Sequence, residues 1–379
     1  MVPVSVATLL SVFMISFSVC VLTVLTKRYH IVKSAGGGVQ NAVQAAHRTP
    51  TPRIGGIGIV LAVLFGLLII MPGENGARWN LFALSLTPIF IAGLAEDLGF
   101  GISPRGRLLA AALSGAICVT LLGLWIPRAD IPFVDGLFLT APVAIAFTIF
   151  VATGVCHAFN LIDGVNGLAA GVGVVGSVGL AAIAAQAGQS GVMTAALLMI
   201  PALLGFLALN YPFGKLFLGD AGAYSIGHVL AWLAIVLLAE VNTLTPWAIL
   251  LVLFWPVADT ALAIYRRRRS GKPADQPDRL HFHQLVMRAL EIGYFGRDRR
   301  HLTNPMTALI ILPLASIPMV TGVLLWDKPL AAFLAWLVFG ALFFATYNVG
   351  IRYASTSRRQ VNSILTRRAD GQRTATAAE

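Results

Sequence analysis

Five acidic residues stand where acids are costly. Glu96 and Asp97 close an apolar run in IAGLAEDLGF, and Asp163 follows another in HAFNLIDGVNGLAAG. Asp220 precedes a third in YPFGKLFLGDAGAYSIG, and Asp259 lies in FWPVADTALAIYRRRR. Ionisable groups within or at the edge of a membrane segment are expensive, and by default they mark function. Gathered at one depth, carboxylates repel each other unless a cation intervenes. An oxygen-only donor set favours Mg2+, with Mn2+ as a substitute, over zinc. Such an ion keeps several waters and takes one or two carboxylates plus substrate phosphates. Arg105, Arg107, Lys215 and Arg279 flank the same loops and supply charge for further phosphate oxygens. The glycines of Asp163-Gly164 and Gly219-Asp220-Ala221-Gly222 let backbone N–H groups approach an anion at helix starts. Any one acid alone reads better as a helix-end charge paired with an arginine. The set reads as a divalent-metal and phosphate site.

The elements that must position these acids are membrane helices. Of 379 residues, 57% are hydrophobic before the 37 glycines are counted, and 11% are charged. A soluble domain carries roughly 25% charged residues, so both a water-soluble globule and a disordered chain are excluded. A crossing helix needs roughly 20 apolar residues. Apolar stretches fall near 2–26, 54–72, 79–95, 107–126, 138–158, 167–187, 191–209, 222–240, 244–265, 304–326 and 329–350. The expected fold is therefore an all-α polytopic membrane protein of about eleven transmembrane helices. The first basic pair, Lys27-Arg28, follows the first apolar run, the reverse of a secretory signal, so the N-terminus is expected outside (periplasmic) and the C-terminus in the cytoplasm. On that count only Arg78, Arg128 and Lys328, of 27 Lys and Arg, face outward. The net charge of +11 is thus mainly a topology signal, and nucleic acid is not an expected partner. All five acids share the cytoplasmic side.

One transmembrane catalytic domain, 1–350, is expected, with active-site loops at 27–53, 96–106, 159–166, 210–222 and 266–303. Residues 351–379 read as a basic, disordered cytoplasmic tail. Cys20, Cys118 and Cys156 lie in or beside apolar segments without CxxC spacing, and read as buried, inert thiols. His157, beside NLIDG, is as well placed to pack between helices as to reach a substrate, and His47 before TPRIGG and Arg53 within it carry the same ambiguity. No internal repeat is evident, which counts against an inverted-repeat transporter.

In order along the chain come TPRIGG (Thr51 to Gly56), the acidic pair, and NLIDGVNGLAAG (Asn160 to Gly171). FLGDAG (Phe217 to Gly222), Pro256-x-x-Asp259 and DRLHFHQL (Asp278 to Leu285) follow. On these motifs, spanning roughly residues 40 to 300, the chain resembles the polyprenyl-phosphate N-acetylhexosamine-1-phosphate transferases. It looks most like the bacterial undecaprenyl-phosphate N-acetylglucosaminyl-1-phosphate transferases that start O-antigen and teichoic-acid synthesis. NLIDG-x-NGLA and FLGD-x-G together carry the resemblance, and TPRIGG alone is weak.

The resemblance implies transfer of N-acetylhexosamine-1-phosphate, GlcNAc-1-phosphate by default, from a UDP-sugar to undecaprenyl phosphate with release of UMP. It implies the inner membrane of a bacterium, with the site on the cytoplasmic face and a homodimer as a further partner to test. Asp220 matches the principal Mg2+ ligand, with Asp163 beside it. Glu96, Asp97 and Asp163 match the catalytic acids. Asn160, Asn166, His281, His283, Arg279, Gly219, Arg105 and Asp259 are the expected substrate-binding residues. Asp97 is expected to position the lipid phosphate, and single displacement is preferred over a phosphorylated Asp97. Three positions depart from the family pattern: Glu96 for an aspartate, Asn166 for an acid, and Gln284 for a histidine. The HFHQ spacing argues against the branch that makes the first lipid intermediate of peptidoglycan. The competing readings are a secondary transporter of an anionic solute and an inactive scaffold of the same fold.

Overall fold

The computed structural model describes residues 5–29, 51–71, 76–269 and 280–376, and for 297 and 354–376 the backbone alone. Among these residues there are helices and no strands. The 40s loop, Asp278 and Arg279 lie outside the described residues.

The helices are α1 (Val6–Leu25), α2 (Gly56–Phe65, prolonged by a π-turn Gly66–Ile70), α3 (Gly76–Ser85) and α4 (Thr87–Asp97). Then come α5 (Pro104–Leu122), the short α6 (Asp135–Phe138), α7 (Ala141–Ile162), α8 (Leu168–Gln186) and α9 (Ser190–Asn210). The chain continues with α10 (Gly219–Glu240), α11 (Pro246–Val252), α12 (Phe254–Arg269), α13 (Phe282–Leu290), α14 (Arg300–Leu324) and α15 (Pro329–Thr376). All eleven apolar stretches of the sequence are helical. Among the described residues, nine spans, counting α3–α4 as one, are long and apolar enough to cross a membrane. A tenth is the pair α11–α12, bent by 88°. Pro256 explains the break. It has no N–H for the carbonyl of Val252, and its ring crowds that carbonyl, so the turn at Leu253 opens. The stretch expected at 54–72 gives only Gly56–Ile70, shorter than a full crossing.

Beyond its apolar stretch, α15 runs on to Thr376. Residues 351–376 hold no proline and a single glycine, Gly371, so nothing stops the helix.

α10 is the axis of the fold. Every residue from Gly219 to Leu238 is buried, which fits a helix that is apolar all round. Small residues let its neighbours approach closely. A Cβ at Gly56 of α2 would lie 2.2 Å from the Gly222 nitrogen, and one at Gly93 of α4 would lie 2.6 Å from that of Ala221. On the α7 side, a Cβ at Gly227 would meet the Cα of Cys156 at 2.6 Å. α2, α4 and α7 therefore pack backbone to backbone around the end of α10 that carries Asp220.

Candidate active site

The floor of the site is built from main chain. TPRIGG runs beside the FLGDAG loop: Phe217 N–H donates to Pro52 O (2.9 Å), and Gly55 and Gly56 N–H donate to Phe217 O (3.0 Å) and Leu218 O (2.9 Å). Gly219 takes φ +74°, and a Cβ there would lie 1.9 Å from Arg53 O. Only glycine tolerates both the left-handed backbone and that contact. The turn delivers Asp220 at the first residues of α10.

Asp97, the last residue of α4, holds that helix start. Its Oδ1 accepts from Asp220 N–H and its Oδ2 from Ala221 N–H, both at 2.9 Å. Two otherwise unpaired N–H groups at the positive end of α10 are thereby satisfied by a carboxylate from another helix. Asp220 Oδ1 accepts from Asn160 Nδ2 of α7 (3.0 Å), and Oδ2 is bonded to the Arg107 guanidinium of α5. Four helices thus converge on one aspartate. Glu96 lies alongside, and its Oε2 is buried with no hydrogen-bond partner among the described residues.

Asp163 follows directly on α7, within the fields of Arg53 and Asp220. Burial pushes its carboxyl up to about 7; Arg53 opposes that shift and Asp220 adds to it. One turn deeper than Asn160, His157 sets its ring edge-on to Tyr224 (centroids 4.9 Å apart, 67°), and its Nε2 is buried with no hydrogen-bond partner among the described residues.

A second wall comes from the C-terminal part of the chain. Asp259 of α12 accepts Phe282 N–H on Oδ1 (2.9 Å) and faces His281 Nδ1 with Oδ2 (2.8 Å). The carboxylate accepts, so it places the His281 proton on Nδ1 and turns Nε2 away from itself. The His283 ring stacks on His281 (5.8 Å, 10°). It also covers Gly164 so closely that a Cβ there would lie 2.1 Å from His283 Nε2. Burial pushes His283 down to about 4, against the pull of Asp259, so the ring is neutral. The glycine of NLIDG is thus the seam between the acidic wall and the histidine wall.

The structure therefore joins Glu96, Asp97, Asn160, Asp163, Gly219 and Asp220, and sets His281 and His283 against them through Gly164. Two expected substrate contacts are committed to the protein itself. Both oxygens of Asp259 are engaged by the His281 segment. Asn166 donates its N–H to Asn304 Oδ1 (2.8 Å) and its Nδ2 to Pro212 O (2.9 Å), bracing the loop. Arg105 is exposed, and it is Arg107, two residues further on, that meets Asp220. From the sequence, Arg107 reads only as one of the flanking cations. Tyr224, one turn beyond Asp220, was not singled out, and only its spacing marks it.

The donor chemistry fits a hard divalent cation, since every acid offers oxygen and Glu96 Oε2 is unpaired. Among the described residues no group of three or more His, Cys, Asp or Glu is close enough to hold an ion unaided. The arrangement suits an ion held by one or two carboxylates and completed by phosphate and water.

Residues 79–238, which carry Asp97, Arg107, Asn160, Asp163 and Asp220, match the model of glycosyl transferase family 4. This stretch of the chain is similar to that family. Among its curated relatives is a probable undecaprenyl-phosphate N-acetylglucosaminyl 1-phosphate transferase of Bacillus subtilis, 28% identical over 309 residues, covering 81% of this chain and 82% of that one. The undecaprenyl-phosphate alpha-N-acetylglucosaminyl 1-phosphate transferase of Yersinia pestis is 26% identical over 70% of this chain and 73% of its own. A decaprenyl-phosphate N-acetylglucosaminephosphotransferase of Mycobacterium tuberculosis is 27% identical over 66% and 68%. The histidine wall lies beyond the part matched to the family 4 model.

Proposed function

We propose that this chain moves N-acetylhexosamine-1-phosphate, GlcNAc-1-phosphate by default, from a UDP-sugar to undecaprenyl phosphate and releases UMP. The observation that carries the reading is the convergence of Asp97, Arg107 and Asn160 on Asp220 at the start of a buried helix. Eleven crossings with the N-terminus outside and the C-terminus inside would put this site at the cytoplasmic face of the inner membrane. The product would begin a cell-surface polysaccharide of the O-antigen or teichoic-acid kind.

Phosphoryl transfer needs positioning and charge neutralisation more than covalent help. A bound Mg2+, or Mn2+ in its place, would neutralise the diphosphate and stabilise the departing UMP. Asp220 is the residue to hold it, with Asp163 and Glu96 beside it. Arg107, beside Asp220, supplies a guanidinium for phosphate oxygens. The lipid phosphate has a second pKa of about 6 and is largely a dianion at neutral pH, so it needs no strong base. Asp97 has both oxygens on main-chain N–H groups, which favours a positioning role and a single displacement. His281, oriented by Asp259, and neutral His283 close the side over Gly164.

The test is UMP release by purified protein with Mg2+, undecaprenyl phosphate and a panel of UDP-N-acetylhexosamines. Release should require the lipid, and Asp220→Asn should lower it by about 10²–10³-fold, as for loss of a main electrostatic stabiliser. Folded protein silent with every donor would return weight to the scaffold and transporter readings.

A further inference from the structure

The chain between α5 and α7 lies at the ends of these helices remote from Arg107 and Asn160, and so on the face opposite the candidate active site. It is firmly braced. Arg128 Nε donates to Asp130 Oδ1 (2.8 Å), and its Nη2 donates to Asn242 O (2.5 Å) and Leu244 O (2.6 Å) in the α10–α11 link. Asp135 Oδ1 accepts Ala129 N–H (2.7 Å), and Trp247 Nε1 donates to Asp130 O (3.3 Å).

Out of this frame project large apolar side chains: Phe133 is fully exposed, Leu139 90% exposed and Leu137 57% exposed. Phe133 takes φ +66°, a left-handed conformation that costs a residue with a Cβ, so the backbone is held against its preference to aim that ring outward. In water such a display would be unfavourable twice over. In lipid the apolar surface is at home.

The depth of the segment decides between those surroundings. α6 doubles back along the flank of α7, where buried Phe138 sets its ring edge-on to Phe147 (5.1 Å, 89°). Phe147 is six residues into α7, roughly 9 Å past its start. It belongs to an exposed row, Val143, Phe147 and Phe150, on the outside of a membrane-length helix. The end of the segment at Phe138 therefore lies against the first turns of the span.

We propose that residues 131–139 form a re-entrant anchor, with Phe133, Leu137 and Leu139 among the acyl chains of the leaflet opposite the active site. The charged groups here are engaged by the protein: Arg128 pairs with Asp130, and half-buried Asp135 accepts Ala129 N–H on Oδ1. Lipid is the occupant rather than a second copy of the chain, because the segment packs through Phe138 on Phe147, a member of the exposed apolar row of a membrane-length helix.

The test uses the full chain in phosphatidylethanolamine/phosphatidylglycerol vesicles, with a nitroxide attached at Phe133→Cys. Native Cys20, Cys118 and Cys156 are buried, so the label reports the new site. Phe150→Cys serves as the lipid reference and Lys328→Cys as the water reference. The expected oxygen-to-nickel collision ratio at Phe133 matches that at Phe150. A ratio matching Lys328 overturns the proposal, and so does an immobilised label shielded from both reagents, the sign of a protein partner. If Phe133→Cys does not fold, Leu139→Cys carries the same test with the same outcomes.

Discussion

At the scale of single residues, burial brings the Asp163 carboxyl into the neutral range. With its carboxyl raised to about 7, it is protonated below that pH and charged above it. If the charged form serves the phosphates and their cation, kcat/KM should rise between pH 6 and pH 8. Asp163→Asn should flatten that limb and lower the rate by about 100-fold, the size of a lost electrostatic contact. A limb of unchanged position in Asp163→Asn would sink the assignment. The lipid phosphate, with its pKa of about 6, leaves a lower limb that survives. His283, down at about 4, adds none. The acids were legible because their cost in an apolar chain marks them. Their partners were not. Nothing in AEDLG announces that Asp97 spends both oxygens on amides 123 and 124 residues away, or that Asp259 serves His281.

At the scale of elements, α12 and α13 are coupled by one carboxylate. Asp259→Asn keeps an oxygen for Phe282 N–H but removes the charge facing His281. Loss of an outer partner of this kind costs about 10–100-fold in activity, and here it should fall on kcat with KM and thermal melting little changed. Steady-state UMP release separates the two parameters. An equal loss in Asp259→Glu, which keeps the charge, would mean that shape and not orientation of His281 is at stake. The helices themselves were readable, since a run of about 20 apolar residues leaves few alternatives in lipid. The bend before Pro256 was also written in the sequence, but a hydropathy window averages across it. TPRIGG was judged weak for a physical reason: its work is done by backbone hydrogen bonds to Phe217 and Leu218 and by the contact of Gly56 with Gly222, neither of which has a side-chain signature.

At the scale of the whole molecule, the orientation rests on charge. In intact cells, Lys328→Cys should react with a membrane-impermeant maleimide, while Arg299→Cys should react only after permeabilisation. The buried native thiols stay silent in both. The reverse pattern would invert the protein and move the site to the outer face. The all-helical architecture and the grouping of the acids could be read from composition and spacing. The meeting of Asp163-Gly164 with His283 could not, because it joins segments more than a hundred residues apart. That meeting bears on how the molecule is made. Asp220 precedes His283 by 63 residues, so the acidic wall and its four helices leave the ribosome before the histidine wall exists. A nascent chain passes through an interval in which Gly164 is uncovered and the pocket is open along one side. α14 and α15 are then what presses α13 home, and the pocket closes only after both have followed it.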